Sequence, residues 1–200
     1  MLLTSQDGTH SVHLSDETVQ ETAHAVQSNL GFESPFEYDF FSRVFDTPHS
    51  VYRRRLECIG MTNSDRVLDA GCGFGQWSFA LAESNRHTVS LEISAFRCSV
   101  LNHLSRNLGI TTISTLVGDM DDLPFQNDFF DSVYCYGAIM FDDWKRKTSE
   151  LVRVLRPGGR LYISTSAIGW YLSNLVWGHN DSDDFSSRLM ALDTIVHSIT

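Results

Sequence analysis

The spacing of apolar and polar residues divides the chain near residue 66. Before that point apolar residues recur at helical spacing, with N-cap residues such as Ser15 at the starts. Proline at the first position of a helix is common, and Pro48 follows Thr47 in this way. We therefore predict three helices, over residues 15–31, 36–45 and 47–58.

After residue 66 short apolar runs alternate with helical patterns. Strands are predicted over residues 66–69, 87–91, 112–117, 132–136 and 160–164, with helices over residues 77–81, 94–108 and 144–155. Alternating strands and helices favour an α/β fold with a doubly wound, mostly parallel sheet and helices on both faces. In such a sheet, ligands bind beyond the carboxyl ends of the strands.

The first strand ends at Asp69 and runs into a glycine-rich turn, residues 71–75. Glycines let the backbone turn sharply and approach a ligand closely. The spacing is Gly-x-Gly-x-Gly, whereas a dinucleotide fingerprint places its third glycine one residue later. Asp69 would also put negative charge near a pyrophosphate. The loop therefore disfavours NAD and suits a ligand with an ammonium and a sulfonium.

Acidic residues also end the next two strands. Glu92 ends the second strand, and a carboxylate there can accept hydrogen bonds from both hydroxyls of a ribose. Asp119 follows the third strand, where it can accept from an adenine amine, and Met120 offers apolar area to the ring. Each carboxylate alone also fits a loop or helix cap, but three at consecutive strand ends predict one site.

The charge balance restricts the partners. The chain has 25 acidic and 15 basic residues and a formal net charge of −10, whereas nucleic-acid binders present a basic face. The basic run Arg53–Arg55 is interpreted as a solvated helix face. No apolar run approaches the ~20 residues of a membrane-spanning helix, and the N-terminus does not resemble a signal peptide.

The cysteine and histidine spacings favour neither a disulfide framework nor a metal site. Cys58, Cys72, Cys98 and Cys135 lie far apart, which is typical of reduced thiols in a cytoplasmic protein. His10 and His13 form the one close histidine pair, in a polar tail without further ligands nearby. No metal is therefore expected.

Four segments resemble one known family. They are VLDAGCGFGQWSFALA (67–82), SLEIS (90–94), VGDMDDLPFQNDFFDSVYCYGAIMF (117–141) and LVRVLRPGGRLYIS (151–164). Together they resemble the class I S-adenosylmethionine-dependent methyltransferases over roughly residues 60–165, and most of all the branch that methylates small molecules. The resemblance implies a Rossmann-like fold, S-adenosylmethionine as cofactor and methyl transfer to a small-molecule acceptor.

The resemblance also implies roles for individual residues. Gly71 and Gly73 would lie against the methionine portion of the cofactor, Cys72 and Gly75 would complete the loop, and Asp69 would orient it and the cofactor's amine.

The adenosine and methyl-donor ends follow from the same resemblance. Glu92 would hold the ribose and Ile93 would pack on the adenine. Asp119 would bind the adenine amine and the Met120 backbone its ring nitrogen. Tyr136 would face the methyl-donor end, or it would be a buried strand aromatic.

The acceptor pocket is expected to draw on residues outside the core. Tyr38 and Phe41 would face it from the helix over residues 36–45, with His49 nearby and Trp170 in the apolar stretch 168–177. Each aromatic segment also fits a helix packed in the core or at a dimer interface. His49, Tyr38 and Asp142 are candidate bases, but none lies in a recognisable motif. No catalytic base is assigned.

The resemblance also predicts how the chain is divided into regions, and the end of the chain departs from the family's pattern. We predict a helical cap over residues 1–60, a cofactor-binding core over 61–165 and a helical segment over 166–200. The family usually adds closing strands after the fifth, and these are expected to be missing here. The fifth strand would then be an open edge that another segment or a second subunit, as in a homodimer, must cover. A catalytically inactive cofactor-binding module is the alternative function, and a nicotinamide-dependent reductase is disfavoured.

Overall fold

The computed structural model describes residues 13–141 and 143–165, which contain six helices and five strands. Three helices precede the first strand, and after it a helix separates consecutive strands except between the third and the fourth. The helices are α1 Asp16–Gln27, α2 Pro35–Asp46, α3 His49–Cys58, α4 Gln76–Ser84, α5 Ala95–Asn107 and α6 Trp144–Val154. The strands are β1 Val67–Ala70, β2 Thr88–Glu92, β3 Ile113–Val117, β4 Phe130–Tyr136 and β5 Leu155–Ser164.

These five strands form one parallel sheet in the order β3-β2-β1-β4-β5. The chain moves outward from β1 through β2 to β3 and then crosses back to β4, on the other side of β1. The strand order therefore reverses between β1 and β4, which is where doubly wound sheets bind ligands. The predicted α/β fold with a doubly wound sheet is confirmed.

Alternate residues of each strand face opposite layers of helices. Leu68, Val133 and Cys135 face α6 and share a buried cluster with its Leu151 and Val154. The intervening positions face α3 and α4, and they include polar as well as aromatic residues, namely Asp69, Ser90, Tyr134, Tyr136 and Tyr162. The polar positions on this second face lead to the candidate site.

A cluster of phenylalanines fixes α2 against the glycine loop. Phe41 of α2 is fully buried and its ring lies 5.1 Å from that of Phe74, in the loop, and 4.6 Å from that of Phe45. Phe45 in turn packs against Phe79 of α4. Burying each such ring stabilises the fold by about 1.5–3 kcal/mol, so α2 is held firmly at the edge where β1 ends.

Several predicted element boundaries are wrong, and for two of them the physical reason is clear. β5 begins at Leu155 and not at residue 160, because the Pro-Gly-Gly turn of residues 157–159 is carried as a bulge within the strand. Proline is tolerated at bulges, where no ladder hydrogen bond is lost. The third helix begins at His49 without a side-chain cap, because the Thr47 hydroxyl donates back to the Arg43 carbonyl of α2.

Several predictions fall outside the described residues. These are the helical segment over 166–200 with its apolar stretch 168–177, and the missing closing strands. The division of the chain at residues 60 and 165 stays a prediction. Among the described helices none is long and apolar enough to cross a membrane.

The bulge in β5 predicts that Gly159 cannot carry a side chain. A Cβ there would lie 2.6 Å from Leu155 Cδ1 and 2.9 Å from the carbonyl oxygens of Arg156 and Asp131. We expect Gly159→Ala to lower the free energy of unfolding by ~1–3 kcal/mol, as overpacking does. Gly31→Ala is the control, since nothing lies within 4 Å of its Cβ position. Urea unfolding of both variants tests this, and equal midpoints would mean that the bulge adapts freely.

Candidate functional site

The glycine loop between β1 and α4 lies at the reversal point of the sheet. Gly71 has a φ of +75°, and a Cβ added to it would lie 2.3 Å from the Cβ of Ala138, in the loop after β4. Its amide donates to the carbonyl of Leu91 in β2, at 2.8 Å. The loop is therefore drawn tightly between the ends of the neighbouring strands, and only glycine fits there.

Gly73 and Gly75 each leave room for a different neighbouring side chain. A Cβ on Gly73, whose φ is +58°, would lie 3.2 Å from the ring of Phe40 in α2. A Cβ on Gly75 would instead lie 2.7 Å from the side chain of Leu101 in α5. Gly75 was predicted as a cofactor residue, but the structure gives its missing side chain a packing reason. Cys72 was also predicted as a cofactor residue, but its thiol is buried in the interior, and burial raises its pKa. Packing therefore explains this position as well.

Glu92 connects the loop to the next strand and helix. Its side chain is only 5% exposed, and its Oε2 accepts a hydrogen bond from the Gly73 amide at 3.0 Å. Its Oε1 accepts from the amide of Ser94, which caps α5, also at 3.0 Å. A carboxylate has about four acceptor positions, so two remain for hydroxyl donors. Glu92 thus both fixes the loop and keeps capacity for a ribose.

A salt bridge that sequence reasoning missed closes over Glu92. Arg97 of α5 makes a two-point bridge to Glu37 of α2, with Nη2–Oε1 at 2.6 Å and Nε–Oε2 at 3.1 Å. Its Nη1 lies 3.9 Å from Glu92 Oε1, and its guanidinium lies over the rings of Phe40 and Phe74. No sequence signal identified this pair, because its members are far apart along the chain. It joins the cap helix α2 to the carboxylate predicted to hold the ribose.

Asp69 lies beneath the loop and not on its surface. Its side chain is 1% exposed and accepts a hydrogen bond from the Ser78 hydroxyl at 2.6 Å, while the Ser90 hydroxyl donates to Ser78 at 2.8 Å. Burial raises the pKa of Asp69 to about 7 from 3.8, the Ser78 bond opposes this, and the charge of Glu92 adds to it. Asp69 therefore orients the loop from below, and its predicted contact with a cofactor amine stays a prediction.

A buried acceptor without a partner lies beside the loop. Oε1 of Gln76 is buried, has no hydrogen-bond partner among the described residues, and lies 3.8 Å from the Cβ position of Gly73. Unsatisfied buried acceptors are costly. An ammonium such as that of S-adenosylmethionine would supply the missing donor. The glycine loop, the orphan Gln76 oxygen and the remaining acceptor capacity of Glu92 together fit this cofactor.

The adenine end is only partly arranged as predicted. Ile93 is 67% exposed directly after Glu92, an unusual position for an isoleucine that suits packing on a ring. Asp119 is exposed, and its Oδ1 accepts from the Asp121 amide. Met120 does not offer its side chain to a ring, because that side chain is buried under Gly71 and beside Cys135. Only its backbone is left for the predicted role.

Tyr136 was predicted to face the methyl-donor end of the cofactor, and that role stays a prediction. It ends β4 with 41% of its surface exposed, and its ring lies 4.8 Å from that of Trp77, in the first turn of α4 after the glycine loop. The alternative of a buried strand aromatic therefore fits Tyr134, which is 1% exposed, and not Tyr136.

The predicted acceptor residues are not brought together. Phe41 is fully buried in the phenylalanine cluster, and His49 is 1% exposed with its Nε2 3.3 Å from Glu83. Neither side chain reaches an open surface among the described residues, so the geometry lends no support to their pocket roles, which stay predictions. Tyr38 is half exposed and packs edge-on against Phe32. Trp170 and the candidate base Asp142 lie outside the described residues.

Known proteins share this arrangement. Residues 68–163 match the family described as Methyltransferase domain. The chain is 36% identical over 139 residues to the demethylmenaquinone methyltransferase of Clavibacter sepedonicus, which covers 61% of this chain and 56% of that protein. The chain spans little more than half the length of the curated relatives it matches.

Solved structures show the same fold. The PH0226 protein of Pyrococcus horikoshii OT3 superposes with a TM-score of 0.61 at 23% identity, over 73% of this chain and 72% of that one. Geranyl diphosphate methyltransferase in complex with SAM superposes with a TM-score of 0.57 at 22% identity, over 86% and 73%. Over residues 68–163 the chain is therefore similar to the methyltransferase domain family, and it shares the fold of these solved structures. The geranyl diphosphate methyltransferase structure contains SAM.

The buried Asp69 predicts a pH-dependent stability. Between pH 3.8 and about 7 the folded protein keeps a proton that the unfolded chain has released, so this group lowers the free energy of unfolding as the pH rises through that window. Asp69→Asn removes the effect. We expect wild-type stability relative to the variant to fall by up to ~4 kcal/mol across the window, at about 1.4 kcal/mol per pKa unit. Urea unfolding from pH 4 to 8 tests this.

The control for that measurement is Asp65→Asn, an exposed carboxylate paired only with Arg86. Its difference from wild type should change little over the same range. A pH-independent difference for Asp69→Asn would mean that Asp69 is already ionised at pH 4 in the folded protein.

Glu92 predicts a strong dependence of cofactor binding on one carboxylate. Glu92→Gln keeps the side-chain shape but loses charge-assisted hydrogen bonds, worth about 1.5–3 kcal/mol. We expect S-adenosylmethionine to bind the variant about 10- to 100-fold more weakly by calorimetry, with Glu21→Gln on the exposed face of α1 as control. Wild-type affinity in a folded Glu92→Gln sample would place the ribose elsewhere.

Proposed function

We propose that this chain transfers the methyl group of S-adenosylmethionine to a small-molecule acceptor. The observation that carries the proposal is the contact of Glu92 with the Gly73 amide. It brings a carboxylate suited to a ribose and a loop suited to the methionine portion into one continuous site. A single ligand must satisfy both, and S-adenosylmethionine does so.

The chemistry asks for alignment more than for reactive side chains. When bound, the cofactor supplies a methyl group on a positively charged sulfur, which is a good leaving group. A lone pair of the acceptor forms the new bond to the methyl carbon, the carbon–sulfur bond breaks, and its electron pair remains on sulfur. The acceptor's proton leaves to solvent. The rate then depends on how well the site holds the reacting atoms in line.

We assign no general base within the described residues. His49 is buried beside Glu83, and burial raises the pKa of the Tyr134 phenol well above its ordinary value, which keeps that proton in place. An acceptor whose nucleophilic atom ionises readily in water suits such a site.

A small acceptor agrees with the charge and with the relatives. A net charge of −10 disfavours nucleic acid as substrate, and the curated relatives are named for methylating demethylmenaquinone, a small molecule. Four free cysteines favour a reducing, cytoplasmic setting. β5 is an edge strand of the described sheet, and a further segment or a second subunit covering it stays a prediction.

Calorimetry with S-adenosylmethionine, S-adenosylhomocysteine and NADH tests the proposal first. We expect micromolar binding of the first two and none of NADH. Methyl transfer is then measured with labelled cofactor on a panel of small acceptors, with Glu92→Gln as the negative control. Binding of NADH alone would overturn the proposal. Cofactor binding without transfer to any acceptor would favour the inactive binding module.

A further inference from the structure

A cavity of about 510 Å³ lies between α3 and the carboxyl ends of β4 and β5. It opens beside the glycine loop, because Trp77 of its wall is in the first turn after that loop. The ends of the two strands are tied together there, with the Gly137 amide donating to the Ser164 carbonyl at 2.8 Å. The volume is in the range of small-molecule sites, about 300–1,000 Å³.

The floor of this cavity is aromatic. Tyr134 and Tyr162 pair across β4 and β5 and stack at 5.1 Å with their planes 7° apart. Tyr136 continues the row, with its ring nearly parallel to that of Tyr134 at 6.3 Å, and Trp77 flanks both. Such a surface binds flat rings, since aromatic pairs gain beyond their buried area. The half-exposed ring of Tyr136 is its most accessible part.

The wall opposite carries two arginines, Arg54 and Arg55 of α3. Both are exposed, and neither guanidinium forms an ion pair with a carboxylate of residues 13–141 or 143–165. Their neighbour Arg53, by contrast, points away to Glu83. From the sequence alone, the basic run Arg53–Arg55 is interpreted as a solvated helix face. In the structure Arg53 lies beside Glu83, whereas Arg54 and Arg55 line the cavity.

Arg54 and Arg55 place two positive charges on one wall of the cavity, and neither has an ion-pair partner among the described residues. Other described arginines do form such pairs: Arg97 pairs with Glu37, and Arg153 pairs with Glu150. The planar guanidinium fork matches a carboxylate in two-point geometry. Both arginines line the cavity together with its aromatic rings, so an anionic group of a ligand would complement their charge.

We propose that this cavity binds the methyl acceptor and that the acceptor is an aromatic carboxylic acid. Its ring would lie against Tyr136 and the aromatic floor, and its carboxylate would pair with Arg54 and Arg55. This inference rests on the proposed function, because the acceptor must reach the methyl group at the strand end where Tyr136 lies. A neutral ring would form an ion pair with neither arginine.

The test compares acids with their neutral amides. 4-Hydroxybenzoate, 4-hydroxycinnamate and the two corresponding amides are titrated into the full chain with S-adenosylhomocysteine present, and Trp and Tyr fluorescence reports binding. We expect each acid to bind at least tenfold more tightly than its amide. The double variant Arg54→Gln/Arg55→Gln should remove that preference. Arg86→Gln is the control, since this exposed arginine lies elsewhere and pairs with Asp65.

The outcomes separate this inference from the proposed function. Equal binding of acids and amides, no binding of either, or an unchanged preference in the double variant overturns the aromatic acid. Calorimetry of S-adenosylhomocysteine on the same samples is read independently. If the cofactor product still binds, only the acceptor class is wrong, and if it does not bind, the proposed function itself fails. An unchanged melting temperature of the double variant shows that folding is not the cause.

Discussion

The structure around the candidate site depends on the two hydrogen bonds that Glu92 accepts. One comes from the glycine loop after β1 and the other from the amide of Ser94 at the start of α5. A buried carboxylate must be satisfied in this way, since an unpaired charge out of water is very costly. The same carboxylate attracts Arg97, which carries Glu37 and thereby α2 to the site. Four separate segments of the chain are thus held by one charge.

A second buried carboxylate, that of Asp69, supports the loop from below, but it has fewer hydrogen-bond partners than Glu92. Asp69 has one short bond, from Ser78, and burial favours its protonated form near neutral pH. Ser90 of the neighbouring strand β2 donates to the hydroxyl of Ser78 and so extends this hydrogen-bond chain. Glu92 with its several partners therefore fixes the loop at one end, and Asp69, whose pKa is raised by burial, lies beneath it. Both lie on the sheet face that continues towards Tyr134 and Tyr162.

Much of this could be predicted from local sequence. The helix and strand pattern, the parallel order and the positions of Asp69 and Glu92 at strand ends followed from periodicity, and the structure has them there. Local patterns failed where partners are distant. The family resemblance suggested Phe41 for the pocket, and His49 was a candidate base. Their burial depends on contacts with α4, including Glu83, which no nearby residue indicates.

The sequence by itself determined which residues end the strands and where the backbone must turn without side chains, because both follow from short-range spacing and steric limits. Only the tertiary structure decided what those residues touch. It bonded Glu92 to Gly73, placed Arg97 over that bond, and turned Arg54 and Arg55 towards an aromatic cavity. Such contacts join residues far apart in the chain, and their geometry comes from packing, which no local pattern records.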